Sequence, residues 1–129
     1  MSTTIDRDAL RAAWATEIDA ARAARPHRDG AEEWHHLERA HIISQPLAGR
    51  HVRSHVEMLR FAVRGIDIRE AVGQLLRIIV AAPGSWTGRY PVGNTGGANV
   101  SALQPMPLPD DLHDLLGAGV AGATASRRA

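Results

Sequence analysis

The 129-residue chain contains no cysteine. That absence excludes disulfides, thiolate metal sites and a cysteine nucleophile, so any metal must be held by His, Asp or Glu. Lysine is missing too: all 15 basic residues are Arg. With a formal net charge of +1 there is no basic field of the strength nucleic acid requires. The Arg excess reads as GC-rich coding and not as phosphate recognition, so no nucleic-acid partner is expected. Long apolar runs are also lacking. The longest, residues 78–82, is far too short to span a bilayer. The opening residues lack the charged segment and apolar stretch of a signal peptide. A soluble, cytoplasmic protein without a membrane partner is the expectation, and the length suits one domain with one modest core.

What is present is helical periodicity. Leu10, Trp14, Ile18 and Ala21 recur at helical spacing in a first helix over 6–24. A turn at 25–30 leads to an Asp29-Gly-Ala-Glu32 capping box and a second helix over 30–45, which stops before Pro46. A third helix over 51–64 is expected to end on Gly65 as a left-handed cap. A second Asp-x-x-Glu box, Asp67 to Glu70, opens a fourth helix over 67–81 that ends before Pro83. Its apolar stripe is Ile68, Val72, Leu75, Leu76, Ile79 and Val80.

The fold class is therefore all-α, with two stacked antiparallel hairpins. Each half reads helix, turn, Asp-x-x-Glu helix, Pro, which resembles tetratricopeptide-type repeats; a plain four-helix bundle fits nearly as well. Residues 83–109 are too rich in Gly, Pro and Asn for regular structure but carry apolar anchors, so an ordered wrap across the helices is expected. A short helix near 110–116 follows. Residues 1–116 form the single domain and 117–129 a disordered tail.

Three segments look familiar. They are Glu33-Trp-His-His-Leu-Glu-Arg-Ala-His-Ile-Ile-Ser-Gln45, His51-x-x-x-His55-x-x-Met-Leu59, and Ala82-Pro-Gly-Ser with Pro91-Val-Gly-Asn-Thr-Gly-Gly-Ala-Asn-Val-Ser101. Together they resemble a small bacterial family catalogued as a domain of unknown function, over approximately 10–109. The resemblance implies no activity, so function must come from the residues.

Three histidines occupy positions where a small core would carry leucines. His41 shares a helix face with Trp34, Leu37 and Ala40, while His51 and His55 share one with Val52, Met58, Leu59 and Ala62. A buried imidazole needs a hydrogen-bond or metal partner, because an unsatisfied one costs about 1–3 kcal/mol. Glu38-x-x-His41 and His51-x-x-x-His55 each aim two donors to one side of a helix, and a short connection makes the two helices antiparallel neighbours. Glu38, His41, His51 and His55 are the candidate metal ligands, for Zn²⁺, Fe²⁺, Mn²⁺ or Ni²⁺. A structural polar network joining these histidines to backbone, Glu38, Gln45 and water explains the same pattern. A metal-free enzyme is the third reading, with His41 or His55 as general base and Glu38 as orienter.

The 93–99 segment could fold over the cluster as a lid, with Gln45, Asn94 or Asn99 reaching in. Its plainer reading is a tight turn whose Asn side chains cap local backbone. It has no Gly-x-x-x-x-Gly-Lys pattern, so no nucleotide cofactor is expected. His35, His36, His27 and His113 fall away from the cluster. Arg39, Arg53, Arg60, Arg64 and Arg77 are expected on a solvated face with Glu57. Three functions follow: a metal-binding protein, as sensor, carrier or mononuclear metalloenzyme; a tetratricopeptide-like interaction module; and a metal-free enzyme. The partners to expect are a metal ion or small molecule, another protein, or a second copy, since two hairpins leave apolar faces for another chain to cover.

Overall fold

Asp6 starts the first helix by accepting hydrogen bonds from the backbone N–H groups of Asp8 and Ala9, both at 3.0 Å. In the computed structural model, which describes residues 5–98, 100–101 and 104–117, this helix is α1, Arg7–Ala24. It is followed by α2 (Gly30–Ser44), α3 (Ala48–Arg64), α4 (Ile68–Thr87) and α5 (Asp110–Leu116). Asp29 and Asp67 cap α2 and α4 as their sequence boxes predict, accepting from Glu32 N and Glu70 N at 3.0 Å. The regular structure of the described residues is entirely helical.

α1 packs on α2 and α3 on α4, and the two hairpins meet along α2 and α3. Leu10, Trp14 and Ile18 of α1 bury against Leu37, Ala40 and Ile43 of α2, with Met58 of α3 and Leu112 and Leu116 of α5 closing the cluster. Each large aliphatic side chain buried this way contributes on the order of 1.5–3 kcal/mol. Polar side chains beside this cluster pair with one another: Trp14 Nε1 donates to Ser54 Oγ at 2.9 Å, and Ser54 Oγ lies 3.0 Å from Ser44 Oγ.

Four sequence expectations are corrected. Gly65 is right-handed (φ −84°), and Ile66 takes the positive φ of 56° instead. α3 begins at Ala48, three residues earlier than the 51–64 reading. α4 does not stop at 81 but runs through Pro83 to Thr87, where the left-handed Gly88 ends it. Pro83 forgoes one backbone bond; the last turn is held by the Ser85 hydroxyl, which donates to the Gln45 carbonyl at 2.6 Å. Finally, Glu57 is not on a solvated face. It is 2% exposed, and it and the buried Glu33 are bracketed by Arg22, Arg25, Arg60 and Arg64. Two buried carboxylates demand such partners, which arrive from three separate segments.

The described residues between 89 and 109 cross the helices as a strap. Gln45, which caps the end of α2, clasps it, with Nε2 donating to Pro91 O (2.8 Å) and Oε1 accepting from Gly93 N (3.2 Å). Glu70 accepts from Ala98 N at 2.8 Å. Asn94 folds the strap on itself, donating to the carbonyls of Ser101 (2.8 Å) and Gln104 (2.7 Å) and accepting from Gly96 N (2.9 Å). Asn99 and the tail beyond 117 lie outside the described residues.

Candidate metal centre

His41 comes from the buried face of α2, and His51 and His55, one turn apart, from the facing side of α3. The three rings meet through a single nitrogen each. His41 Nε2 lies 3.0 Å from His51 Nε2 and 3.2 Å from His55 Nε2. All three rings are 3–5% exposed.

Proton accounting decides what these contacts are. His41 Nδ1 lies 2.7 Å from the Asn94 carbonyl, which can only accept, so Nδ1 carries the proton. His55 Nδ1 lies 2.6 Å from Gln74 Oε1. That oxygen is correctly placed, because Gln74 Nε2 is spent on Glu70 Oε1 (2.6 Å) and Gly96 O (2.8 Å). His51 Nδ1 lies 2.7 Å from Ser85 Oγ, whose own proton goes to the Gln45 carbonyl. Each imidazole therefore donates from Nδ1 and has only a lone pair at Nε2.

A fourth proton would have to make one ring cationic, and the surroundings oppose it. Burial, reinforced by the neighbouring rings, holds His41 well below the usual imidazole range. Burial, together with the repulsion that a protonated His55 would exert, lowers His51 to about 3. Burial likewise lowers His55 to about 4, against the Gln74 hydrogen bond that favours its charged form. At neutral pH, three bare lone pairs face one another without a hydrogen between them.

A cation at the meeting point would supply what is missing. The three nitrogens form a group within 4.8 Å of one another, close enough to share one metal ion. With metal–nitrogen bonds of about 2.0–2.1 Å, neighbouring ligands of a tetrahedron sit about 3.3–3.4 Å apart, close to the two distances found. The donation of each Nδ1–H to a carbonyl, amide or hydroxyl oxygen is the outer arrangement that fixes metal-bound imidazoles.

Glu38 is not among the converging atoms. Its carboxylate takes a hydrogen bond from Trp34 and feels Glu70; burial, with the repulsion of Glu70, holds it above the usual carboxylate range. It bonds to neither His41 nor His55, whose orienters are Asn94 O and Gln74. Gln45 and Asn94 do act at the site, but through the strap: Gln45 clasps it and the Asn94 main chain fixes His41. The strap also closes over the ring. Gly96 has φ +86°, and a Cβ there would lie 2.7 Å from His41 Cγ and Cδ2.

A cavity of about 110 Å³ borders the triad, with Arg77, Val80, Gly84, Arg89, Tyr90 and Pro91 in its walls. Arg77 donates to Gly73 O (3.2 Å) and Val100 O (2.8 Å), while its buried Nε has no partner among the described residues. The remaining histidines stand apart: His36 pairs with Glu17 at 2.7 Å, and His27, His35 and His113 are exposed. Sequence reading missed Gln74 and Ser85. An uncharged, fully buried Gln on α4 carried a signal only for a reader who knew which face of that helix turned inward.

Among known proteins, a family model described as "Protein of unknown function (DUF3703)" matches residues 8–116. No curated protein and no solved structure matches.

Proposed function

The chain belongs to the DUF3703 family, and we propose that it is a metal-binding protein whose His41, His51 and His55 hold one divalent ion through Nε2. The observation that carries this reading is the convergence of three unprotonated nitrogens whose opposite Nδ1–H groups are all engaged. A purely structural network would place a proton in at least one of the Nε2 contacts, since two facing lone pairs repel.

The ligand set is neutral and nitrogen-only, which favours Zn²⁺, Fe²⁺ or Ni²⁺ over Mn²⁺, a metal better served by carboxylate oxygen. Three protein ligands leave at least one coordination position free, and the three rings line a cavity. This argues for a site that meets an exogenous ligand and against a closed structural metal. Bound there, the ion would supply Lewis-acid polarisation of an oxygen group. Arg77, with an unengaged N–H, and the Tyr90 and Arg89 side of the cavity suit a small oxygen-bearing, anionic ligand.

The test is elemental analysis of untagged protein beside a His41→Ala/His55→Ala double variant. One equivalent of metal in the wild type and none in the variant is the expected result. Negligible metal in both, after titration with Zn²⁺, Fe²⁺ and Ni²⁺, would remove the proposal.

A further inference from the structure

The outer face of α4 is a stripe of apolar side chains left largely uncovered among the described residues. Ile68, Val72, Leu75, Leu76, Ile79, Val80 and Trp86 are all more than half exposed. At about 100° per residue they fall within an arc of roughly 140° on one side of the helix. Val63 near the end of α3 and Ile66 of the connecting turn, just before α4 in the chain, are exposed as well. Taking about 150 Å² for a fully exposed large apolar residue, these nine expose roughly 800–900 Å². The largest apolar patch on a typical monomer is about 300–600 Å², whereas one partner of a standard interface gives about 800 Å².

Ile66 adds an independent sign. It is 82% exposed and sits at φ 56°, a left-handed conformation that a β-branched residue adopts only under strain. Gly or Asn would serve the turn without that strain. An isoleucine held there without internal packing has its use in a contact outside the chain.

We propose that this face is the interface of a homodimer, in which two copies of α4 pack antiparallel about a two-fold axis near Leu75 and Leu76. The stripe is self-complementary about that point. Leu75 and Leu76 lie at its centre, and reversal about them sets Leu75 against Leu76 and Val72 against Ile79. Charge does not oppose the pairing. α4 carries three charged residues, and Glu70 and Arg77 are turned to the strap, where they bond Ala98 N and Val100 O. Arg69 alone remains on the outer side. A membrane-surface helix needs a basic polar margin, and one arginine does not provide it.

Val80 belongs to both the stripe and the wall of the cavity beside the triad. The second copy therefore borders the mouth of that cavity. None of the three imidazoles lies on the stripe, so the dimer can form without a metal.

Sedimentation velocity of the full chain, from low to high micromolar concentration, tests this. The expected mass is twice that of the chain. Leu76→Glu and Ile79→Glu are expected to raise the dimer dissociation constant at least about tenfold, since a carboxylate would be desolvated in the interface. Circular dichroism should show their helices intact, because both side chains are exposed. Ala31→Glu, on the exposed start of α2, should leave the dimer unchanged. If either glutamate variant loses helix, Leu76→Ser and Ile79→Ser carry the same measurement. A wild-type chain that stays monomeric throughout, or a dimer indifferent to substitutions at both positions, overturns the proposal.

Discussion

His41 Nε2 and His51 Nε2 lie 3.0 Å apart, and neither holds a proton to share. Two neutral lone pairs at that distance repel in a buried setting. The helices hold them together nonetheless, because each ring is fixed from behind by an oxygen on the strap or on α4. This stored repulsion is what a cation would relieve.

Metal should therefore stabilise the fold. At a free Zn²⁺ concentration of about 100 times its dissociation constant, mass action adds about 2.7 kcal/mol. For a domain of this size that corresponds to a rise of roughly 10 °C in melting temperature, read by differential scanning calorimetry. A chelator should reverse it. His55→Gln should abolish the rise, and an unchanged rise would place the ion elsewhere.

The oxygens behind the rings should matter nearly as much as the rings. Gln74→Leu removes the acceptor of His55 Nδ1, and Ser85→Ala that of His51 Nδ1. Losses of such outer partners commonly cost about 10–100-fold in metal affinity. Isothermal titration of each variant checks this. Affinities equal to wild type would mean that the ring orientations do not depend on those oxygens.

The pH dependence has a definite sign. The folded-state values of His51 (about 3) and His55 (about 4) lie below the unfolded value near 6.5, and His41 is shifted the same way. Above about pH 6.5 the rings are neutral in both states, and stability is independent of them. Below it the unfolded chain takes up protons that the folded chain refuses, so stability falls with pH at up to about 1.4 kcal/mol per unit for each ring. The fall ends as pH passes the folded values. Urea midpoints of metal-free protein measured from about pH 7.5 to about pH 4, a range that brackets the unfolded value, should follow this course. The same neutrality means that metal binding at pH 7.5 should release almost no protons, so its calorimetric enthalpy should not vary with buffer ionisation.

Gly96→Ala combines positive-φ strain with a methyl group 2.7 Å from the His41 ring. A loss of at least about 2 kcal/mol is expected from strain and overpacking together. Denaturant unfolding measures it, and a neutral result would mean that the strap does not press on the triad.

Much of the centre was legible because its three rings follow helical spacing on two consecutive helices. Positions 41, 51 and 55 needed only the wheel and a short connection to be brought together. Glu38 was misassigned by the same wheel: three residues back is one turn away but not the same direction, and Trp34 claims its carboxylate. Ser85 was invisible because Pro83 marks a helix end in sequence, whereas the folded chain continues past it once the following turn is bonded to Gln45. Glu57 read as a surface acid since no pattern on α3 announces that arginines from α1 and the adjoining turn converge on it. The stripe on α4 was plain in the sequence, but periodicity says that a face is apolar, not what lies against it.

α4 is one rod with two commitments. Gln74 and Ser85 on its inner side set the imidazoles, while Leu76 and Ile79 on its outer side await a neighbour. A shift of the rod is felt on both sides at once. Thermodynamic reciprocity then binds the two events: by whatever factor self-association sharpens affinity for the ion, loading the ion must sharpen self-association.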